Sequence, residues 1–252
     1  MCGIAGIVHR ERARAVDPEI LRAITRVMTH RGPDDGGEYL AGNVGFGHRR
    51  LSIIDLAGGH QPLANEDGTI WLTYNGEIYN YKDIRRELEG KGHRFRSDSD
   101  TEVVIHLYEE EGLAAVKRFN GMFAFGLWDG NKQRLWLCRD RVGIKPLVYS
   151  WDGARLLFAS EIKALLADPT VDKELDREAL MLYLAFNYVP APLTMFKGIR
   201  KLEPGCSLTL EGGKTVVKRY WSLPRPTESP DSADVGRRAV GARQMEADRD
   251  YR

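Results

Sequence analysis

The sequence is poor in cysteine, in long apolar runs and in charge of either excess sign. Three cysteines, at positions 2, 138 and 206, form neither an even set nor a CxxC pair, which excludes a secreted disulfide scaffold and points to a reducing compartment. No apolar stretch approaches the ~20 residues of a bilayer span, and the N-terminus has no basic segment followed by an apolar one. A cytoplasmic protein with no membrane partner is expected. Lysine and arginine number 37 against 36 acidic residues, so no global field recruits nucleic acid, and aromatic residues are not interleaved with basic ones on any predicted strand. The six histidines show no HxxxH spacing and no Cys/His grouping, and no metal site is expected. Internal repeats are absent.

What is present is enough chain, 252 residues, for one large or two small domains with a real core. "DPEILRAITRVMTH" predicts a helix with Asp17 as N-cap, Pro18 in its first turn and apolar residues 20, 21, 24, 27 and 28 on one face. "RGPDDGG" after it reads as a flexible loop. Short β-branched or aromatic runs, "VGFGH", "LSIID" and "TIWLTYNGE", read as strands. Helices are expected in "YKDIRRELEGKG", "DTEVVIHLYEEEG", "SEIKALLAD" and "DREALMLYLAF", with strands through "GMFAFGLWDG", "RLWLCRD", "KPLVYSWDG" and "RLLFAS". "SLTL" and "TVVKRYW" close the domain as a hairpin. The intervening "EGGKT" is a glycine turn and not a phosphate loop, since Leu208 stands where that motif needs glycine. Strands in runs with helices between them predict an α+β domain of antiparallel sheets covered by helices. Residues 224–252, rich in proline, serine, arginine and aspartate, are expected to be a flexible polar tail beyond a domain at 2–223.

The chemistry starts at Cys2. It could be a small buried hydrophobe capping an apolar first strand, "GIAGIV". Removal of Met1, favoured before a small residue, would instead give it a free α-amine beside its own thiol. The unperturbed pKa values, about 8.5 for the thiol and 7.7–8.0 for the amine, let one residue supply both nucleophile and base. Gly3 would let a substrate approach the backbone. In "YNGEIYN", Asn75 and the N–H of Gly76 could donate two hydrogen bonds to one developing negative charge, unless the pair is an ordinary Asn-Gly turn. In "GHRRLSIID", a guanidinium fork suits a carboxylate. In "SDSDTEV", Asp100 either caps a helix at Val103 or turns its carboxylate to an ammonium. "RDRVGIKPL" reads as structural, holding strand ends by arginine–aspartate pairing. Cys138 and Cys206 read as core and turn residues without chemistry.

Taken together, "MCGIAGIV", "HRGPDDGG", "RRLSIIDLAGGHQPL", "YNGEIYN", "SDTEVV", "NGMFAFGLWD", "CRDRVGIKPL" and "FASEIKALL" resemble, in order and nearly continuously to about residue 221, the N-terminal glutaminase domain of glutamine-hydrolysing asparagine synthetases, a branch of the class II glutamine amidotransferases. The resemblance implies the four-layer αββα sandwich of N-terminal nucleophile (Ntn) hydrolases. It implies Cys2 as nucleophile towards the amide of L-glutamine, and Asn75 and Gly76 as oxyanion hole. It further implies Arg50 as ligand of the substrate α-carboxylate, Leu51 and Ile53 as pocket lining, and Glu77 and Asp100 as partners of the α-amino group.

One departure is large. The family's second domain binds ATP through a serine-glycine-glycine loop ending in aspartate-serine, and no such string occurs here. ATP and magnesium are expected only in a synthetase domain absent from this chain, supplied in cis or in trans, and no cofactor is expected in the chain itself. A piece of a longer enzyme, a truncated gene product and a stand-alone amidase remain open, as does a homodimer. The alternatives are the glutaminase of another class II amidotransferase and a non-catalytic glutamine-binding remnant.

Overall fold

The computed structural model describes residues 1–51 and 59–224. In chain order the elements are β1 (Gly3–His9), α1 (Pro18–Arg26), β2 (Asp35–Ala41), β3 (Val44–Arg50), β4 (Leu63–Ala64), β5 (Ile70–Ile78), α2 (Tyr81–Gly90), α3 (Glu102–Glu111), a 3-10 segment (Gly112–Arg118), β6 (Gly121–Asp129), β7 (Arg134–Arg139), β8 (Val148–Trp151), β9 (Arg155–Ala159), α4 (Ile162–Leu165), α5 (Arg177–Phe186), β10 (Arg200–Lys201), β11 (Cys206–Glu211) and β12 (Lys214–Arg219). They belong to one compact unit, Met1–Trp221. Beyond Pro224, the expected polar tail lies outside the described residues.

The strands build two six-stranded antiparallel sheets, ordered β10-β8-β9-β1-β3-β2 and β12-β11-β7-β6-β5-β4. Successive side chains on a strand point to opposite faces, so one strand can feed two layers. In β1, Ile4 and Val8 join Phe46, Phe158, Leu135 and Leu137 between the sheets, while Ala5 and Ile7 pack on Leu21, Ile24 and Met28 around α1. β6 divides likewise: Ala124 and Trp128 face the other sheet, whereas Phe123, Phe125 and Leu127 meet Ile84, Leu88 and residues 103–108 of α2 and α3. The result is the four-layer αββα order.

Local chemistry sets the boundaries. Asp17 caps α1 by accepting from Glu19 N at 2.8 Å, with Pro18 following. Gly212 and Gly213, at φ 56° and 75°, close the β11–β12 hairpin in the left-handed region that glycine enters at no steric cost. The reading of "RGPDDGG" as a loop is corrected, because β2 begins at Asp35 and carries Gly36 and Gly37 in register with Arg49 and His48. These glycines serve close approach: a Cβ on Gly37 would stand 2.1 Å from the carbonyl oxygen of Gln61. Cys138 is core, and Cys206 opens β11 instead of lying in a turn. The predicted strand "LSIID" falls largely in residues outside those described. Helix α5 buries only Ala179 and leaves Met181 and Leu184 67% exposed.

Candidate active site

Strand register brings the predicted residues together. Gly3 pairs with Arg49 in the β1–β3 ladder, so one step further sets Cys2 across from Arg50, on the face that Ile4 and Phe46 turn to the other sheet. On β5, Tyr74 and Leu72 face the helices, which turns Asn75 and Glu77 the opposite way, towards Cys2 and Arg50. The site is therefore the open end of the gap between the sheets, half from each. Its cavity, lined by Cys2, Arg50, Leu51, Asn75, Gly76, Glu77 and Asp100 among others, holds about 110 Å3. That is below the roughly 300–1,000 Å3 of drug-sized sites and suits a single small metabolite. Ile53 lies outside the described residues.

Cys2 is half-buried, with Sγ 3.9 Å from the Leu51 carbonyl oxygen. Its own carbonyl accepts from Arg31 Nε at 3.0 Å, and Arg31 is anchored in turn by Glu161 at 2.9 Å. The space beside Gly3 belongs to α1 packing, since a Cβ there would meet Met28 Cβ at 2.9 Å; the substrate-approach role expected of this glycine is replaced by that contact. Met1 precedes Cys2 at the cavity wall, and with Met1 in place the Cys2 nitrogen is an amide.

Asn75 and Gly76 form no turn. They sit in β5, opposite Ala124 and Phe123 of β6. Asn75 is 1% exposed and its Nδ2 has no hydrogen-bond partner among the described residues. A buried donor left unpaired costs about 1–3 kcal/mol, and the cavity is the place where a ligand oxygen would recover it. At Gly76 any Cβ would stand 2.5 Å from the Met122 carbonyl oxygen, so β6 itself requires glycine there.

Asp100 caps no helix. The residue before α3 is Thr101, and Asp100 Oδ2 instead accepts from Ile78 N at 2.7 Å and from the Tyr74 hydroxyl at 2.8 Å. Burial raises its pKa above the ordinary carboxylate value, and the charge of Glu77 adds to this against the two donors. Two acidic groups, Glu77 and Asp100, and two buried basic ones, Arg50 and Lys145, thus line one small cavity.

Several lining residues carried no readable signal: Gln61, Tyr74, Thr101, Met122 and Lys145. Gln61 holds β5 by accepting from Tyr74 N at 2.7 Å. Lys145 arrives through "RDRVGIKPL", where the expected arginine–aspartate pairing is corrected. Asp140 accepts the backbone N–H groups of Val142, Ile144 and Lys145, at 3.2, 3.0 and 2.9 Å. Arg139 donates to the carbonyls of Lys145, Leu202 and Gly143, at 2.8, 2.7 and 2.8 Å. Both side chains go to backbone because the loop, with Gly143 at φ 73°, has no ladder to satisfy it.

Comparison with known proteins identifies the family. A glutamine amidotransferase domain model matches residues 1–221. The chain is 43% identical over 224 residues to asparagine synthetase [glutamine-hydrolyzing] 1 of Bacillus subtilis (strain 168), covering 88% of this chain and 35% of that protein. It is 36% identical over 247 residues to putative asparagine synthetase [glutamine-hydrolyzing] 2 of Methanocaldococcus jannaschii, covering 89% and 47%. It thus spans less than half the length of these relatives. Among solved structures, glutamine phosphoribosylpyrophosphate amidotransferase from B. subtilis shares the fold at TM-score 0.62 and 22% identity, over 88% of this chain and 50% of that one. The match to residues 1–221 and the cavity at the end of the sandwich give one conclusion: the chain belongs to the glutamine amidotransferase domain family.

Proposed function

We propose that the chain is the glutaminase half of an asparagine synthetase, hydrolysing the side-chain amide of L-glutamine and passing ammonia to an ATP-dependent synthetase domain, in cis or in trans, that amidates aspartate. The observation that carries the hydrolysis is the buried, unpartnered Asn75 Nδ2 on the cavity that Cys2 lines.

Removal of Met1 frees the Cys2 α-amine, which takes the thiol proton. The thiolate attacks the amide carbon of glutamine, and the oxygen, now negative, is received by Asn75 Nδ2 and the Gly76 N–H. The α-ammonium returns a proton to the amide nitrogen, the C–N bond breaks and ammonia leaves a Cys2 thioester. Water, losing a proton to the same amine, attacks the thioester carbon and releases glutamate and thiol. Arg50 holds the substrate carboxylate, while Glu77 and Asp100 hold its ammonium. Leu51 lines the pocket. The reaction as written needs no cofactor in this chain; ATP and magnesium belong to the synthetase domain. Aspartate as the acceptor is supported by the printed names of the relatives. The exposed apolar face of α5, with Met181 and Leu184, is a surface of the kind a partner covers. Cysteine usage supports the cytoplasm as the place of action.

The test is glutamate release from glutamine by the purified chain and by its Cys2→Ala variant, with the N-terminal residue read by mass spectrometry. Release by the parent alone, with Met1 removed, is the expected result. Equal release by both, or none from a parent that lacks Met1, overturns the reading.

A further inference from the structure

On the opposite flank of α3 from the first turn that follows Asp100, three ligand atoms converge without serving the glutaminase site. His93 Nδ1 lies 3.2 Å from His106 Nδ1. His106 Nδ1 lies 2.8 Å from Glu109 Oε2, and Glu109 Oε2 lies 3.5 Å from His93 Nδ1. Zinc bonds of about 2.0–2.2 Å in tetrahedral geometry separate neighbouring ligand atoms by about 3.3 Å, and these three edges bracket that spacing. A proton serves the triangle badly. If it lies between His106 and Glu109, His93 Nδ1 must either compete for it or point a second N–H at the first. A cation would satisfy all three lone pairs together.

The surrounding shell is built as well. Ligating histidines usually give their other nitrogen to a carboxylate, and ligating carboxylates are themselves hydrogen-bonded. His93 Nε2 stands 3.1 Å from Glu110 Oε1, whereas His106 Nε2, 3.7 Å from the Glu102 carboxylate, makes no hydrogen bond among the described residues. Glu109 Oε1 accepts from Asn65 Nδ2 at 2.9 Å. His106 and Glu109 come from successive turns of α3, and His93 from the segment after α2, where its N–H is held by the Leu88 carbonyl at 3.1 Å.

We propose that His93, His106 and Glu109 bind one divalent cation of the zinc class, leaving the remaining position to solvent. The ion fastens the segment after α2 to α3. Glu102 on the same helix fastens the next part of that segment, accepting from the backbone N–H groups of Arg96 and Ser97, both at 2.9 Å. Between them they fix the stretch that ends at Asp100. No HxxxH spacing announces such a site, because one ligand is separated from the other two by the entry into α3; the expectation of no metal rested on local spacing alone.

The experiment uses tag-free chain in a Cys2→Ala background, so that the N-terminal thiol and amine cannot chelate. After chelator treatment it is titrated with zinc against a chromophoric competitor and with cobalt by visible absorption. One equivalent is expected, with the d–d absorption of a four-coordinate nitrogen and oxygen site and a higher melting temperature in zinc. His93→Ala and Glu109→Gln, both partly exposed positions, should keep the circular dichroism of the parent and weaken binding about ten-fold or more. Absence of stoichiometric uptake, or uptake that neither substitution weakens, overturns the proposal.

Discussion

The Tyr74 hydroxyl and the Ile78 N–H meet on a single oxygen of Asp100, Oδ2, at 2.8 and 2.7 Å. The carboxylate is thereby held to strand β5 at the edge of the cavity, and both donors favour its charged form while burial opposes it. Because the folded pKa lies above the ordinary aspartate value, the charged form, to which we assign the substrate ammonium, is present above that raised pKa and is lost as the pH falls through it. The acid limb of kcat/KM for glutamine should therefore lie above the ordinary aspartate range. Tyr74→Phe, lacking one donor, should move it higher. Steady-state profiles of both proteins check this; a limb that Tyr74→Phe leaves in place contradicts it.

Asn75 offers a donor that no other described residue uses. Asn75→Ala should lower kcat by roughly 10² to 10³ with a much smaller change in KM, and the melting temperature should stay near the parent's because no internal bond of Nδ2 is lost. A fall confined to KM would make Asn75 a binding group only.

Two glycines separate space from flexibility. Gly37→Ala drives a Cβ to 2.1 Å from the Gln61 carbonyl oxygen, a backbone atom that cannot rotate away, and should destabilise by about 1–3 kcal/mol. Gly90→Ala, at the end of α2 with nothing within 4 Å, should stabilise by about 0.5–1 kcal/mol. Urea unfolding of the two variants should shift in opposite directions.

His48 is fully buried, its pKa brought down to about 4 from 6.5 chiefly by desolvation. Its Nε2 faces the Tyr74 carbonyl at 3.1 Å, so that nitrogen carries the single proton of the neutral ring. Between pH 6.5 and about 4 the unfolded chain takes up a proton that the folded chain refuses. Stability should drop as the pH falls through this window, by about 3 kcal/mol in all, and the contribution should be flat above and below it. Denaturant titrations from pH 7.5 to 3.5 should show this slope in the parent and a shallower one in His48→Gln, which can still donate to the carbonyl. Equal slopes would remove His48 as the source.

Much of this was legible where the signal is local. The Asp17 cap, the Gly212–Gly213 turn and the apolar run that makes β1 a buried first strand each depend on a few neighbouring residues. Cys2, Asn75 and Gly76 were readable through their chemistry and through the family resemblance. What escaped depends on distant partners. "DGG" becomes a strand because β3 pairs with it, and Gly37 answers to Gln61 and His60. Asp100 left the helix cap for Tyr74 and Ile78, more than twenty residues earlier. Arg31 is tied to Cys2 by a turn that only the packed α1 creates. Arg139 and Asp140 stand side by side as if paired, yet each serves the loop backbone.

The two sheets also touch through polar groups deep in their gap: Thr73 Oγ1 donates to the Gly47 carbonyl at 3.4 Å, and His48 reaches the Tyr74 carbonyl. Apolar layers packed ~10 Å apart can slide, whereas directional bonds resist sliding. Both bonds lie within three residues of Arg50 on one side and two of Asn75 on the other. They act as alignment pins between two halves that each carry part of the proposed reaction, which needs placement within about 0.5 Å. Shear between the sheets is thus the mechanical coordinate to which the distance from the Cys2 thiol to the Asn75 amide is most exposed, and the sandwich is fastened against it beside the cavity itself.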